Sequence, residues 1–275
     1  MRVWGRPQWA PSGHLAVGGF VGISRVVFDV DVRTAATKII AGSEGTSYEL
    51  VQYLAAGRAL CRRRSLDGSV RLVRTSSAAD EVIEIERQPQ PAWREAQLVR
   101  WRAGDCQLQG LFVPPASGDP PWETVTFLHG GPVGVLAIGE LDRAGGWVDP
   151  RRATFIAEFP ASGIAGEAAM LAAFEARELP GDDDEVDAVL DGIDTLVEAG
   201  LADERRLLLV GHSYGAYLVN RALTRTTRFR AAVCWEGVAD LRLLDGESLA
   251  NQAAWRGGAP TEVPERWSAA SPIDR

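Results

Sequence analysis

One serine in this sequence has neighbours of the kind that turn a hydroxyl into a nucleophile. Ser213 stands in Gly211-His212-Ser213-Tyr214-Gly215, a G-x-S-x-G pattern. The apolar run Leu207-Leu208-Leu209-Val210 precedes it and Ala216-Tyr217-Leu218 follows. This reads as strand, tight turn and helix, the setting in which a strained turn lifts a serine oxygen above a sheet edge. Glycine is required on both sides because strand and helix backbones crowd such a turn. The first N–H groups of the helix then point at the reaction centre. Upstream, His129-Gly130-Gly131-Pro132 follows a second apolar run, Thr124–Leu128. Gly130 or Gly131 suits a backbone N–H donor to a developing oxyanion, with the N–H of Tyr214 as the other donor. Pro132 has no N–H to give.

A serine hydroxyl also needs a base to take its proton, and the sequence holds three histidines, His14, His129 and His212. His14 falls in a β-rich stretch far from the elbow and reads as structural. His129 opens the glycine loop, where its ring is expected to hold the loop by a hydrogen bond. His212 adjoins Ser213 in a turn that points successive side chains apart, and no histidine follows it. The acids after the elbow, Glu236, Asp240, Asp245, Glu247 and Asp274, read as solvated loop or helix-end charges. The expectation is a nucleophile whose acid and base are not on this chain.

The elements that must position these residues fall into two textures. Up to about residue 94 the chain reads as short strands: His14–Phe20, Arg25–Val32, Thr37–Ile40, Glu49–Ala55, Arg58–Arg64, Ser69–Thr75 and Glu81–Glu86. Asp67-Gly68 marks a hairpin turn. Even spacing and the absence of a 3.6-residue period predict a sandwich or about two four-stranded propeller blades, with open edges. Gln88-Pro89-Gln90-Pro91 is the candidate linker. From about residue 95 strands and helices alternate: Ala96–Trp101, Gln107–Val113, Thr124–Leu128 and Ala153–Phe159, then a helix over Asp184–Glu198. Val186, Val189, Leu190, Ile193, Leu196 and Val197 lie on one face of that helix. Pro180-Gly181 precedes it, the acids 182–185 suit its N-terminus, and Gly200 is its C-cap. Arg206–Val210, a helix over Ala216–Thr224, and a buried strand at Ala231–Cys234 complete the pattern. Such alternation predicts an α/β fold, a mostly parallel sheet with helices on both faces.

Composition narrows the partners. Net charge is −8, with 46% hydrophobic and 24% charged residues, and no basic cluster is interleaved with aromatics. Nucleic acid and anionic membrane surfaces are therefore not expected as partners. No run reaches the ~18–20 apolar residues of a membrane span, and the N-terminus lacks the apolar core of a signal peptide. Cytoplasm is the expected location. Cys61, Cys106 and Cys234 form neither a metal pattern nor a disulfide framework, and neither metal nor cofactor is implied.

The glycine loop and the elbow, Gly211-His212-Ser213-Tyr214-Gly215-Ala216-Tyr217, together resemble the prolyl oligopeptidase family of serine peptidases, in its dipeptidyl-peptidase and acylaminoacyl-peptidase branch. Val99–Asp105, Leu108-Gln109-Gly110-Leu111 and Pro114-Pro115 are similar to that family's entry into its hydrolase domain, and Ser271-Pro272-Ile273 resembles the segment before its next core strand. The resemblance implies an α/β-hydrolase domain at 95–275 preceded by the last blades of a β-propeller at 1–94. It implies cleavage of peptide or acyl-peptide substrates through an acyl-enzyme at Ser213. The family's Arg-Gly-Ser stretch is replaced here by Pro160-Ala161-Ser162-Gly163. In the family the catalytic Asp and His come after the segment resembling Ser271-Pro272-Ile273, so the sequence is expected to be C-terminally incomplete and inactive by itself. Self-association through open sheet edges is the physical corollary. The competing expectations are a degenerate hydrolase kept as a binding module, and an esterase or thioesterase of the same fold.

Overall fold

In the computed structural model, residues 4–10, 12–55, 57–75, 79–89, 93, 95–131, 134–138, 148–163 and 182–275 are described. Pro132, the pair Pro180-Gly181 and part of the Gln88–Pro91 linker lie outside them. The chain divides into two compact units, residues 1–98 with 136–148, and residues 99–135 with 149–275.

Alternating strands and tight turns build the first unit. Strands β1 (Trp4–Trp9), β2 (His14–Val21), β3 (Ser24–Asp31) and β4 (Thr37–Ala41) form one four-stranded sheet in chain order. Strands β5 (Thr46–Ala55), β6 (Arg58–Ser65), β7 (Val70–Arg74) and β8 (Glu81–Arg87) form a second. Every pairing in both is antiparallel, which makes two four-stranded meanders of the kind expected for propeller blades. The Asp67-Gly68 turn forms with Gly68 at φ +73° and the Asp67 carboxylate accepting from the Ser69 N–H. Strand β1 escapes the sequence pattern because Gly5 (φ +79°) and a register shift between Trp4 and Gln8 interrupt it. Ala16, Val27, Tyr48, Tyr53, Cys61 and Val73 pack one core with contributions from both meanders. Within it Asp29, 2% exposed, accepts from the His14 ring at 3.0 Å and the Tyr53 hydroxyl at 3.1 Å. His14 is thereby engaged inside its own unit. The outer strand β8 is exposed along its length, and its glutamates reach back to β6 and β7 through Arg62–Glu86 and Arg74–Glu81 pairs. Charge on an edge strand discourages further pairing.

The second unit contains the six-stranded sheet β14-β13-β11-β12-β10-β9. Its strands are β9 (Gln97–Ala103), β10 (Cys106–Val113), β11 (Trp122–Leu128), β12 (Ala153–Ala157), β13 (Ala202–His212) and β14 (Phe229–Trp235). Strands β12, β11, β13 and β14 run parallel, while β10 joins β12 antiparallel. Helix α1 (Asp182–Glu198) buries Val186, Val189, Ile193 and Leu196, and its Ala188 carbonyl accepts from the Trp101 indole at 2.8 Å. Its acidic start is tied to helix α2 (Tyr214–Leu223): Asp183 pairs with Arg221, and Asp187 with Arg225. Gly200 (φ +69°) turns the chain after α1, as expected of a C-cap.

One expectation is corrected, and two helices are added. Ala231–Cys234 forms a strand, but it is not buried: β14 lies at the end of the sheet order and most of its residues are exposed. An edge strand lacks a neighbour on one side, so an apolar composition does not by itself bury it. Helices α3 (Gly246–Arg256) and α4 (Pro264–Ala270) were not legible. Helix α3 fully buries only Gln252, with Leu249 and Ala253 packed partly against the core, and α4 is a short helix anchored by Trp267, 0% exposed.

Candidate active site

The turn from β13 into α2 is made by Ser213, whose backbone sits at φ 54°, ψ −116°. A non-glycine residue at positive φ is strained and persists only where its surroundings hold it. Two close approaches do so. A Cβ on Gly211 would stand 2.6 Å from the Ala216 nitrogen and closer still to the Gly215 carbonyl. A Cβ on Gly215 would stand 2.7 Å from the His129 carbonyl oxygen and closer still to that of Leu128. Both glycines are therefore fixed by backbone crowding, as read from the pattern. The Ser213 N–H donates to the Trp235 carbonyl at 2.9 Å, so the serine's own amide is engaged by β14. The Tyr214 amide is the first of α2.

The glycine loop lies against this turn. A Cβ on Gly130 would stand 3.1 Å from Ser213 Cβ and 3.2 Å from His212 Nδ1, so the loop backbone reaches the nucleophile only because the residue has no side chain. Gly131 lines a cavity of about 140 Å³ together with Ser213 and Tyr214. Residues of the two motifs thus border one space.

His129 braces the loop, and more firmly than the sequence implied. Its ring is 6% exposed, stacks on Phe159 at 4.7 Å, and donates from Nδ1 to the Gly130 carbonyl at 2.6 Å. Nε2 faces Glu158 Oε2 at 3.2 Å. Burial disfavours the charged ring, yet the Glu158 carboxylate, its hydrogen bond, the Gly130 carbonyl and Glu185 outweigh it and hold the pKa above that of an ordinary histidine. With an acceptor facing each nitrogen, the surroundings favour the ring as a double donor. Its bond to the Gly130 carbonyl polarises the peptide shared with Gly131 and strengthens that N–H as a donor. Glu185, 0% exposed, accepts from the Ala161 N–H at 2.8 Å and from the Tyr214 hydroxyl. Pro160–Gly163 is thus tied to the elbow from behind. Neither Glu158 nor Glu185 stands in a motif with Ser213; the sequence places Glu185 only among the acids suiting a helix start, whereas it is buried and bonded to the elbow.

His212 is turned onto Glu236, with Nε2 2.9 Å from Oε2, and its ring packs against Trp235 at 4.6 Å. Of the acids after the elbow, Glu236 alone lines the cavity with Ser213. Asp240 accepts from the Arg242 N–H and guanidinium, and Asp274 from Arg242 and Ser268. Asp245 precedes α3 and Glu247 is in its first turn. Among the described residues none hydrogen-bonds the Ser213 hydroxyl, and no group of three or more His, Cys, Asp or Glu is placed to hold a metal. Also among them, no helix is long and apolar enough to cross a membrane.

Comparison with known proteins follows the same line. Residues 173–275 match the sequence profile of the prolyl oligopeptidase family, which carries the resemblance read from the motifs to a family of serine peptidases. No curated protein matches the sequence. The fold is similar to an acylaminoacyl peptidase solved with Z-Gly-Gly-Phe-chloromethyl ketone, at TM-score 0.75 and 17% identity over 98% of this chain and 43% of that one. It is similar to the acylaminoacyl peptidase of Pyrococcus horikoshii at TM-score 0.74 and 17% identity, covering 98% of this chain and 43% of that one. A puromycin-hydrolyzing peptidase of Mycobacterium tuberculosis gives TM-score 0.71 at 18% identity, over 97% and 43% of the two chains. The chain thus spans under half the length of the structures it matches.

Proposed function

We propose that Ser213 is the nucleophile of a serine peptidase that cleaves peptides or acyl-peptides through an acyl-enzyme. In this reading the N–H groups of Tyr214 and Gly131, backed by Gly130, hold the oxyanion of the tetrahedral intermediate. Gly211 and Gly215 keep the elbow closed, and His129 braces the loop. Residues 1–94 are the last blades of a propeller, and 95–275 an α/β-hydrolase domain with helices on both faces of its sheet. The observation that carries the proposal is the left-handed backbone of Ser213, held between two crowded glycines and facing the Gly130 backbone. A binding module needs neither the strain nor the facing glycine loop. The neighbours named as acylaminoacyl and puromycin-hydrolyzing peptidases support an amide or acyl-amino-acid substrate. We place the protein in the cytoplasm.

In this reading the acid and base of the triad are not expected among these residues. None of the described residues hydrogen-bonds the Ser213 hydroxyl, His14 is engaged by Asp29 and His129 by Glu158 and Gly130, and His212 is the immediate chain neighbour of Ser213, turned onto Glu236. Loss of a triad base costs on the order of a million-fold in turnover. The 275-residue chain alone is accordingly expected to show negligible hydrolysis. A fluorophosphonate probe tests both statements against a Ser213→Ala control. Only trace labelling is expected, and it should map to Ser213. Robust labelling would refute the missing base, and labelling at another serine would refute the nucleophile. The coding sequence beyond the Arg275 codon supplies a second check: an Asp and a His within roughly a hundred codons support the peptidase.

A further inference from the structure

We infer that His129 is a positioning residue that makes the glycine loop responsive to pH: when its Nδ1 loses a proton, the peptide between Gly130 and Gly131 turns and withdraws the Gly131 N–H as an oxyanion donor. The inference rests on Gly131 as a donor in the proposed reaction, and adds what holds that donor and what releases it. The Gly130–Gly131 peptide is trans, and in a trans peptide the carbonyl and the following N–H point to opposite sides. The 2.6 Å bond from Nδ1 to the Gly130 carbonyl therefore aims the Gly131 N–H away from the ring. Gly131 in turn borders the cavity that Ser213 lines. Holding the carbonyl holds the donor.

A doubly protonated ring serves both of its acceptors, the Gly130 carbonyl at Nδ1 and Glu158 Oε2 at Nε2, 3.2 Å away. A neutral ring has one proton for the two. Glu158 is a carboxylate, 1% exposed, and a bond to a carboxylate is the stronger of the pair, so Nε2 keeps the proton. Nδ1 then turns a lone pair onto an oxygen 2.6 Å away, in a buried place where such a clash is poorly screened. The ring has little room to move: it stacks on Phe159, and a Cβ on Gly134 would stand 3.1 Å from Nδ1. The peptide can turn, because glycines flank it and Gly131 sits at φ +154°, a conformation that side chains rarely adopt. The charged groups acting on the ring are acids, Glu158 just past β12 and Glu185 on α1. From β13, His212 stands against Gly130 and is turned onto Glu236. The acids favour the protonated ring, so the donor is in place at lower pH and is withdrawn as pH rises through the titration of His129.

The test is nuclear magnetic resonance of the full chain with isotope-labelled histidine and glycine, followed from about pH 6 to about pH 9. At the lower end both ring nitrogens of His129 should carry protons. As pH rises Nδ1 should become bare, and the Gly130 carbonyl and Gly131 amide resonances should move with the same midpoint. Glu158→Gln should lower that midpoint by about one pH unit or more. His129→Gln, whose side-chain amide donates at every pH, should leave the Gly131 amide without a titration. Proton loss from Nε2 in place of Nδ1, a ring that keeps one protonation state throughout, or a Gly131 amide that ignores the His129 titration would each overturn the inference. A Gly131 titration that survives His129→Gln would do the same. The wild-type spectra carry the first three of these outcomes, so a variant that fails to fold does not shelter the inference. The same spectra are expected of Ser213→Ala, which separates this result from the identity of the nucleophile, decided by fluorophosphonate labelling.

Discussion

Gly215→Ala is the sharpest perturbation of the elbow. The added Cβ would stand 2.7 Å from the His129 carbonyl oxygen and nearer still to that of Leu128, where about 3.5 Å is comfortable. Relief requires a shift of about 1 Å by α2 or by the end of β11. Strand β11 cannot give readily, because Leu128 is in register with Ala157 of β12 on one side and with Gly211 of β13 on the other. Overpacking a close-packed interior costs about 1–3 kcal/mol. With backbone atoms as the obstacle the upper end applies, about 3 kcal/mol or a factor on the order of a hundred in the folding equilibrium. Gly104→Ala is the matched control: Gly104 has φ +56° but nothing within 4 Å of an added Cβ, so only left-handed strain remains, about 1 kcal/mol. Urea unfolding followed by tryptophan fluorescence should place the Gly215→Ala midpoint about 1 M below that of the wild type at similar slope, with Gly104→Ala clearly less affected. If Gly215→Ala lowers stability no more than Gly104→Ala, crowding is not what requires the elbow glycine.

Three further outcomes are expected. His129 has a raised folded-state pKa, so its contribution is fully present below the pKa of an unfolded histidine and is lost as pH rises through the folded value. The melting-temperature advantage of wild type over His129→Gln should shrink between pH 6 and pH 9; a widening gap would reverse the assignment of the protonated ring. Cys61 is fully buried, with its thiol pushed up to about 12 by burial first and Asp80 second, whereas Cys234 is exposed on β14. Iodoacetamide mapped by mass spectrometry should modify Cys234 in the native protein and Cys61 only on unfolding. The exposed Val233 and Trp235 on edge strand β14 should drive self-association, and Val233→Lys should raise the monomer fraction in analytical ultracentrifugation. A wild-type chain that sediments as a sharp monomer would speak against the edge as a sticky surface.

Much of the site could be read in sequence because its constraints are local. A G-x-S-x-G turn needs strand, glycine, serine, glycine and helix in immediate succession, and those five positions carry their own steric reason. The meanders were legible for the same cause: period-two alternation and an Asp-Gly turn act over a few residues. Pairings across many residues left no such trace. Helix α3 fully buries only Gln252 and packs just Leu249 and Ala253 partly against the core, too short an apolar pattern to announce it.

What the sequence determined by itself was the serine turn, its two glycines and the scarcity of histidine, since each depends on residue type and near neighbours. Only the tertiary structure decided where the remaining groups point. It set His129 between Gly130 and Glu158 and turned His212 onto Glu236. Those contacts join residues up to 29 positions apart. The register of parallel strands and the packing of helices on them, not any local pattern, bring such residues within hydrogen-bonding distance.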